Sequence, residues 1–275
     1  MKYNRYFTTS LFVFHFFIYS VAQTGNFGKL TYAKAINLAG RQRMLSQRMS
    51  KAYICKVAGY NEFSAQKELT SSIQIFEEQL KILATNTKEK NVLNALMNVS
   101  QFWKGYLNLL TTTPNKATAI LIMNKNTNLL ELCDSVVSQI EDQYQEINTI
   151  SEKDYRLIRI INYSGKQRML SQRLCLYYLG AKLFSKQKND YKLILRRTFT
   201  TFDENFIKLM TSPYNTKEVQ KSMSSVLYYW ETIKNDESSL YKGNMNIDHI
   251  FRTTNSLTES FNIITGLYEV QTSAR

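Results

Sequence analysis

Two arginines, a glutamine and a serine recur in a short motif that the chain carries twice. The first copy, INLAGRQRMLSQR, covers residues 36–48, and the second, INYSGKQRMLSQR, covers residues 161–173. Ten of the thirteen positions are identical, at a constant spacing of 125 residues. A guanidinium group offers a planar fork of donors that suits a carboxylate or another planar oxyanion. The repeated residues therefore predict an anion-binding surface.

The spacing within the motif places its polar residues on one face of a helix. Residues three, four and seven positions apart share a face, so each copy combines small residues and one central arginine on one side. The opposite side carries bulky apolar residues such as Leu45 and Leu170. The candidate ligand-binding residues are Gly40, Arg43, Gln47, Gly165, Arg168 and Gln172, with Ser46, Arg48, Ser171 and Arg173 as secondary candidates.

The alternative for each arginine is an ion pair or hydrogen bond inside a helical bundle. We favour this alternative for Arg48 and Arg173, because both lie on the flank of the motif helix beside a methionine. For Arg43 and Arg168, which lie centrally on the face of small residues, we favour ligand binding.

Composition argues against an enzyme. His249 is the single histidine after the first 22 residues, so a histidine metal site or a His-containing triad repeated in both halves is excluded. No glycine-rich phosphate loop is present. Three cysteines, an odd number with no close pair, are expected to be buried apolar residues. We expect no catalytic residue, no cofactor and no metal.

The first residues have the pattern of an export signal. Lys2 and Arg5 precede a short apolar run, and Ser20-Val21-Ala22 supplies small residues for cleavage. We therefore expect a signal peptide at residues 1–22 and a periplasmic or secreted protein, with an uncleaved anchor as the alternative. The formal net charge of +13 becomes +11 without the two basic residues of the signal. This charge favours anionic partners, and export argues against nucleic acid.

Helical periodicity and the rarity of proline predict an all-α protein. Both prolines, Pro114 and Pro213, fall between periodic apolar segments. We expect two tandem four-helix bundles, at residues 27–150 and 151–275. Landmarks outside the motif repeat as well: Phe76 and Phe202 at 126 residues, and three pairs at 127 residues, namely Trp103 and Trp230, Asn128 and Asn255, and Leu130 and Leu257.

The motif resembles the P-box of the NarX-like nitrate- and nitrite-sensor input domain. It is still more similar to the N-terminal domain of PilJ-type chemotaxis transducers of type IV pili. In the nitrate sensors, the first helices of two subunits meet and one P-box arginine from each holds the anion. The resemblance assigns this arginine to Arg43 and Arg168. A lysine that helps to hold nitrate in those sensors is replaced by Leu38 and Tyr163, so the resemblance leaves the anion open.

Two arrangements of the paired motifs follow from the sequence. The chain either forms an internal pseudo-dimer, with Arg43 beside Arg168, or stacks its bundles end to end along one continuous helix from Ala117 to Phe184. Helix-breaking signals between Ala117 and Ser164 are weak, because only Ser151 offers a cap. We favour the stacked arrangement, which requires a homodimer to complete each two-arginine site.

The sequence as a whole predicts an exported, non-catalytic sensory module. It is expected to bind a small anionic ligand and to report to a partner, such as a membrane-bound signalling protein. The alternative is a structural protein whose bundles dock onto a membrane receptor or a pilus component without a small ligand.

Overall fold

The structure, a computed structural model, describes residues 26–147 and 151–273, and within them the chain is all-α as predicted. A short antiparallel hairpin, β1 (Asn26–Phe27) and β2 (Leu30–Thr31), precedes the helices. The first half contains α1 (Tyr32–Val57), α2 (Glu62–Asn86), α3 (Lys90–Leu110) and α4 (Lys116–Gln145). The second half contains α5 (Glu152–Leu183), a 3₁₀ turn (Ser185–Gln187), α6 (Lys188–Met210), α7 (Lys217–Lys234), α8 (Glu237–Lys242) and α9 (Ile247–Ser273).

The predicted signal segment, residues 1–22, lies outside the described residues. Within residues 26–147 and 151–273, no helix has both the length and the apolar character that crossing a bilayer would require.

Helix starts are determined by local capping residues. The side chains of Thr31, Asn115, Ser151 and Thr216 each accept a hydrogen bond from a backbone N–H in the first turn of the following helix. Such caps satisfy donors that have no partner within the helix. At Ser151 the hydroxyl also donates to the Asp154 carboxylate, so the cap that the sequence offers at this position does begin α5.

Each half packs its helices around an aromatic anchor. In the first half α1 packs against α2 and α4, and α3 packs on α4; in the second, α5 packs against α6 and α9, and α7 packs on α9. Trp103 lies 4.4 Å from Phe76 between ring centroids, and Trp230 lies 4.2 Å from Phe202. Both tryptophans are buried.

The expectation of a stacked molecule was wrong, because α1 and α5 lie side by side. Helix α4 ends at Gln145, so α4 and α5 are separate helices. Arg43 of α1 contacts Asn162 of α5, and Gln47, further along α1, contacts Arg173, further along α5. Residue numbers therefore increase in the same direction along both helices. The two helices are therefore parallel, as required for an internal pseudo-dimer.

The physical reason for this pairing is the burial of both motif helices on almost every side. From Ala39 to Cys55 nearly every residue of α1 is buried, and the same holds for α5 from Ser164 to Ala181. A helix buried all round must lie at the centre of the protein. On the polar faces, Arg43, Arg168 and Arg173 each donate a hydrogen bond to the other motif helix.

The two halves correspond position by position along the sequence, with an offset that grows along the chain. The motif helices correspond at 125 residues, and α2 corresponds to α6 at 126, as Phe76 and Phe202 show. Helix α4 corresponds to α9, and their buried positions match at a spacing of 128 residues. This is one residue more than the sequence landmarks predict. The matching buried pairs are Leu129 and Leu257, Cys133 and Phe261, Val136 and Ile264, and Ile140 and Tyr268.

A single core connects the halves, because the buried side chains of α1–α4 and α5–α9 form one contiguous cluster. We therefore expect residues 27–273 to unfold in one cooperative transition. Calorimetry should give a calorimetric enthalpy equal to the van't Hoff enthalpy. Two separate thermal transitions would contradict the shared core and favour independent domains.

Candidate functional site

The two central motif arginines meet between α1 and α5. Arg43 and Arg168 are each 2 % exposed. A Cβ atom built on Gly40 would lie 3.2 Å from Nη2 of Arg43 and 3.5 Å from Nη2 of Arg168. On Gly165 it would lie 3.0 Å from Nη2 of Arg168. The two glycines thus leave the space that the guanidinium groups occupy.

Each arginine reaches across to the opposite motif helix. Nη2 of Arg43 donates to Oδ1 of Asn162 at 2.6 Å, and Nη2 of Arg168 donates to the carbonyl oxygen of Asn37 at 3.3 Å. Asn37 and Asn162 are equivalent positions of the repeated motif, 125 residues apart. Sequence reasoning missed both asparagines, although their recurrence one helical turn before Gly40 and Gly165 was a usable signal.

The hydrogen-bond acceptors that α4 and α9 supply to the two arginines differ from each other. Nη1 of Arg43 donates to the Asp134 carboxylate at 2.5 Å, whereas Nη1 of Arg168 donates to the Asn262 amide oxygen at 3.2 Å. Asp134 and Asn262 are equivalent in the 128-residue register. Arg43 therefore has an anionic partner, and Arg168 has a neutral amide at the corresponding position.

The electrostatic environment of Arg168 is unfavourable to its charge. Burial, followed by repulsion from Arg41 and Arg43, lowers the pKa of Arg168 to about 9, and Glu269 offsets only part of this effect. A guanidinium remains protonated at neutral pH. The lowered pKa therefore indicates a buried cation whose charge is only partly compensated by its surroundings.

The motif glutamines form a second set of contacts, further along the same helices. Nη1 of Arg173 donates to Oε1 of Gln47 at 2.8 Å and to Oδ1 of Asn126 at 3.3 Å. Its guanidinium lies 4.6 Å from the ring centroid of Tyr177. Gln172 donates to side-chain oxygens of α9. Gln47 and Arg173 therefore connect the two halves, while Gln172 connects α5 to α9.

The remaining secondary candidates have local roles. The hydroxyls of Ser46 and Ser171 donate to the carbonyl oxygens of Arg43 and Gln167 in the preceding turn. Nε of Arg48 lies 3.6 Å from the Glu68 carboxylate, which is the ion pair within the bundle that we favoured for this arginine. The partners of Arg173 are amide and hydroxyl oxygens.

A buried ion pair that sequence reasoning did not identify adjoins the motif. Nζ of Lys51 lies 2.7 Å from the Glu68 carboxylate, with the two side chains 0 % and 6 % exposed. Lys51 also donates to Oδ1 of Asn255 at 2.7 Å, so the pair joins α1, α2 and α9. At the equivalent positions the second half has Leu176 and Ile194.

Three open cavities border the described helices, and Arg43 and Arg168 line none of these three. The cavity nearest to the motif has a volume of about 360 Å³ and is lined by Asp134, Lys166 and Arg173, among others. Among residues 26–147 and 151–273, no cluster of three histidine, cysteine or carboxylate side chains could hold a metal ion.

The fold and the paired motif helices define a helical-bundle module. Residues 28–127 match the family model PilJ, the N-terminal domain of type IV pili methyl-accepting chemotaxis transducers. The matched range runs from the hairpin into α4, which confirms the resemblance for this part of the first half. The family description suggests a role in signalling. No curated protein and no solved structure matches the chain significantly.

Glu68→Gln is expected to destabilise the protein by about 3–5 kcal/mol, because it leaves the Lys51 ammonium buried without a counter-charge. Replacing both partners with the residues of the second half, Lys51→Leu with Glu68→Ile, should cost less than Glu68→Gln, because an apolar pair removes both desolvation costs and only the partly exposed Arg48 and the Asn255 amide lose a partner. Urea unfolding of the single and double variants measures both effects. A double variant less stable than Glu68→Gln would contradict this account.

Proposed function

We propose that the chain is a sensory module in which Arg43 and Arg168 hold a small anion between α1 and α5. The signalling role is supported by the PilJ match over residues 28–127. The anion site is supported by the convergence of two buried guanidinium groups on Gly40. Two like charges brought together away from water are costly unless a negative charge compensates them.

Arg168 is the arginine that needs such compensation. Its partners are the Asn37 carbonyl oxygen, the Asn262 amide and its own helix backbone at Gly165, while Arg43 already has the Asp134 carboxylate. A planar oxyanion or a small carboxylate would supply charge-assisted hydrogen bonds, which are about twice as strong as those between neutral groups. The ligand is therefore expected to contact Arg168 first and to bridge to Arg43.

Asp134 acts in this proposal as an internal competitor for the ligand. Its side chain is 51 % exposed, so it can turn toward solvent when an anion displaces it from Arg43. The competition would set the affinity of the site and prevent weakly held anions from occupying it. Asn262, at the equivalent position beside Arg168, carries no charge and offers less competition.

Ligand binding would be communicated through the spacing of α1 and α5. The anion would contact both helices, and each of them carries the core of its own half. A change in their separation would therefore move the two halves relative to each other and could be read by a membrane-bound signalling protein. The site is completed within one chain, so the homodimer expected from the stacked arrangement is not required.

A structural docking protein without a small ligand is the second candidate. It is favoured by the protein acceptors that already surround both arginines and by the ion pair between Arg43 and Asp134. In that case the arginine pair would only hold the two halves together, and the surface of the bundle would carry the function.

Isothermal titration with nitrate, nitrite and acetate at low ionic strength tests the anion site. We expect binding of at least one anion, loss of binding in Arg168→Ala, and about tenfold tighter binding in Asp134→Asn. The gain corresponds to a competing charge-assisted hydrogen bond of about 1.5 kcal/mol or more. Asn262→Asp should weaken binding by a similar factor.

Arg48→Ala is the matched control for Arg168→Ala, because it removes the same charge from the other motif helix, α1, where Arg48 faces Glu68. It should retain binding, and circular dichroism should show all variants to be folded. Absence of any binding in both the wild type and Asp134→Asn would refute the anion site and leave the structural candidate.

A further inference from the structure

A cationic cavity lies on the second half, away from the arginine pair. It has a volume of about 460 Å³ and lies between α5, α6 and the turn that follows α6. This volume is in the usual range for small-molecule sites. The lining residues include three cations and no carboxylate, together with two tyrosines and an apolar floor of Ile160, Leu209 and Pro213. The cations are Arg156, Arg159 and Lys208.

Among residues 26–147 and 151–273, Arg159 and Lys208 make no ion pair at contact distance, and Glu141 acts on Arg159 only as a weak, more distant charge. Arg159 donates to the hydroxyl of Tyr163 at 3.2 Å, and its guanidinium lies 5.8 Å from the centroid of the same ring. Lys208 is exposed and makes no ion pair within these ranges. Arg156 pairs with Glu152 one turn earlier on α5, at the surface. The rim of the cavity therefore carries positive charge that is available to a ligand.

The first half shows that the fold does not require these residues. The positions equivalent to Arg156, Tyr163 and Lys208 are Thr31, Leu38 and Ile82. The position equivalent to Arg159 is Lys34, which pairs with Glu269. A helical scaffold of the same plan is thus built without the cationic and aromatic cluster, and the cluster needs another explanation.

In the first half the hairpin packs against the equivalent turn, and the cavity that borders this turn contains a carboxylate, Glu89, beside Lys29 and Lys88. Gly28, with φ of +61°, packs so closely that a Cβ atom there would lie 2.2 Å from the carbonyl oxygen of Asn86. The backbone N–H of Lys29 donates to the Asn86 side chain. In the second half, α5 already begins at Glu152, so helix replaces the hairpin. Ser212, the equivalent of Asn86, borders the cavity of the second half.

We propose that this cavity binds a small carboxylate or phosphate monoester that carries an aromatic or other apolar ring. The anionic group would contact Arg159 and Lys208. The ring would lie against Tyr163, Tyr214 and the apolar floor. This cavity is separate from the arginine pair, so a test of it does not depend on whether an anion binds between α1 and α5.

Saturation-transfer NMR and titration with phenyl phosphate, inorganic phosphate and benzyl alcohol test the site. Phenyl phosphate should bind at least about tenfold more tightly than either of the other probes, because only it satisfies both the rim and the floor. Lys208→Ile, which introduces the residue of the first half, and Arg159→Ala should each weaken binding about tenfold. Lys221→Ala, an exposed lysine on α7, is the matched control and should have no effect.

Three outcomes would overturn the proposal. Equal affinity for phenyl phosphate and inorganic phosphate would indicate nonspecific attraction to a basic surface. Unchanged binding in both Lys208→Ile and Arg159→Ala would place the ligand elsewhere. Loss of phenyl phosphate binding in Arg168→Ala would assign the bound ligand to the arginine pair. Binding that is retained in Arg168→Ala supports a separate site, even if no anion binds between α1 and α5.

Discussion

The reciprocal contact between the motif helices is the constraint on which the rest of the molecule depends. Arg43 reaches Asn162 on α5, and Arg168 reaches Asn37 on α1. Together with the hydrogen bond from Arg173 to Gln47 further along, these contacts place the two helices parallel, with equivalent motif residues side by side. Parallel neighbours need a connection that returns the chain to its starting end, and α2, α3 and α4 provide it. Burial brings the two motif helices together, and the polar contacts at the centre of the protein fix their register.

Comparison of the two halves distinguishes the residues that the common fold retains from those that differ between the halves. Both halves keep the glycine and the arginine of the motif, the asparagine one turn earlier, and a tryptophan on a phenylalanine. They differ at Asp134 and Asn262, and at the buried pair Lys51–Glu68, which the second half replaces with two apolar residues. The common residues form the scaffold, and the differences make the two sides of the arginine pair chemically unequal.

Much of the local structure was predictable because its causes are local. The caps at Asn115, Ser151 and Thr216 lie within a few residues of the groups that they satisfy, and the two prolines lie between helices. The buried tryptophans follow from helical periodicity. The pairing of Lys51 with Glu68 was not predictable, because nothing in either segment indicates that α1 and α2 bring these charges together away from water.

The sequence by itself determined the all-α class, the duplication and the residues of the repeated motif, since each depends on composition or on short spacing along the chain. Only the tertiary structure decided that Arg43 and Arg168 lie together within one chain. Periodicity shows that a helix face is buried, but it does not identify the surface that buries it. That choice depended on the total burial of both motif helices, which a stacked arrangement would have left partly exposed to water.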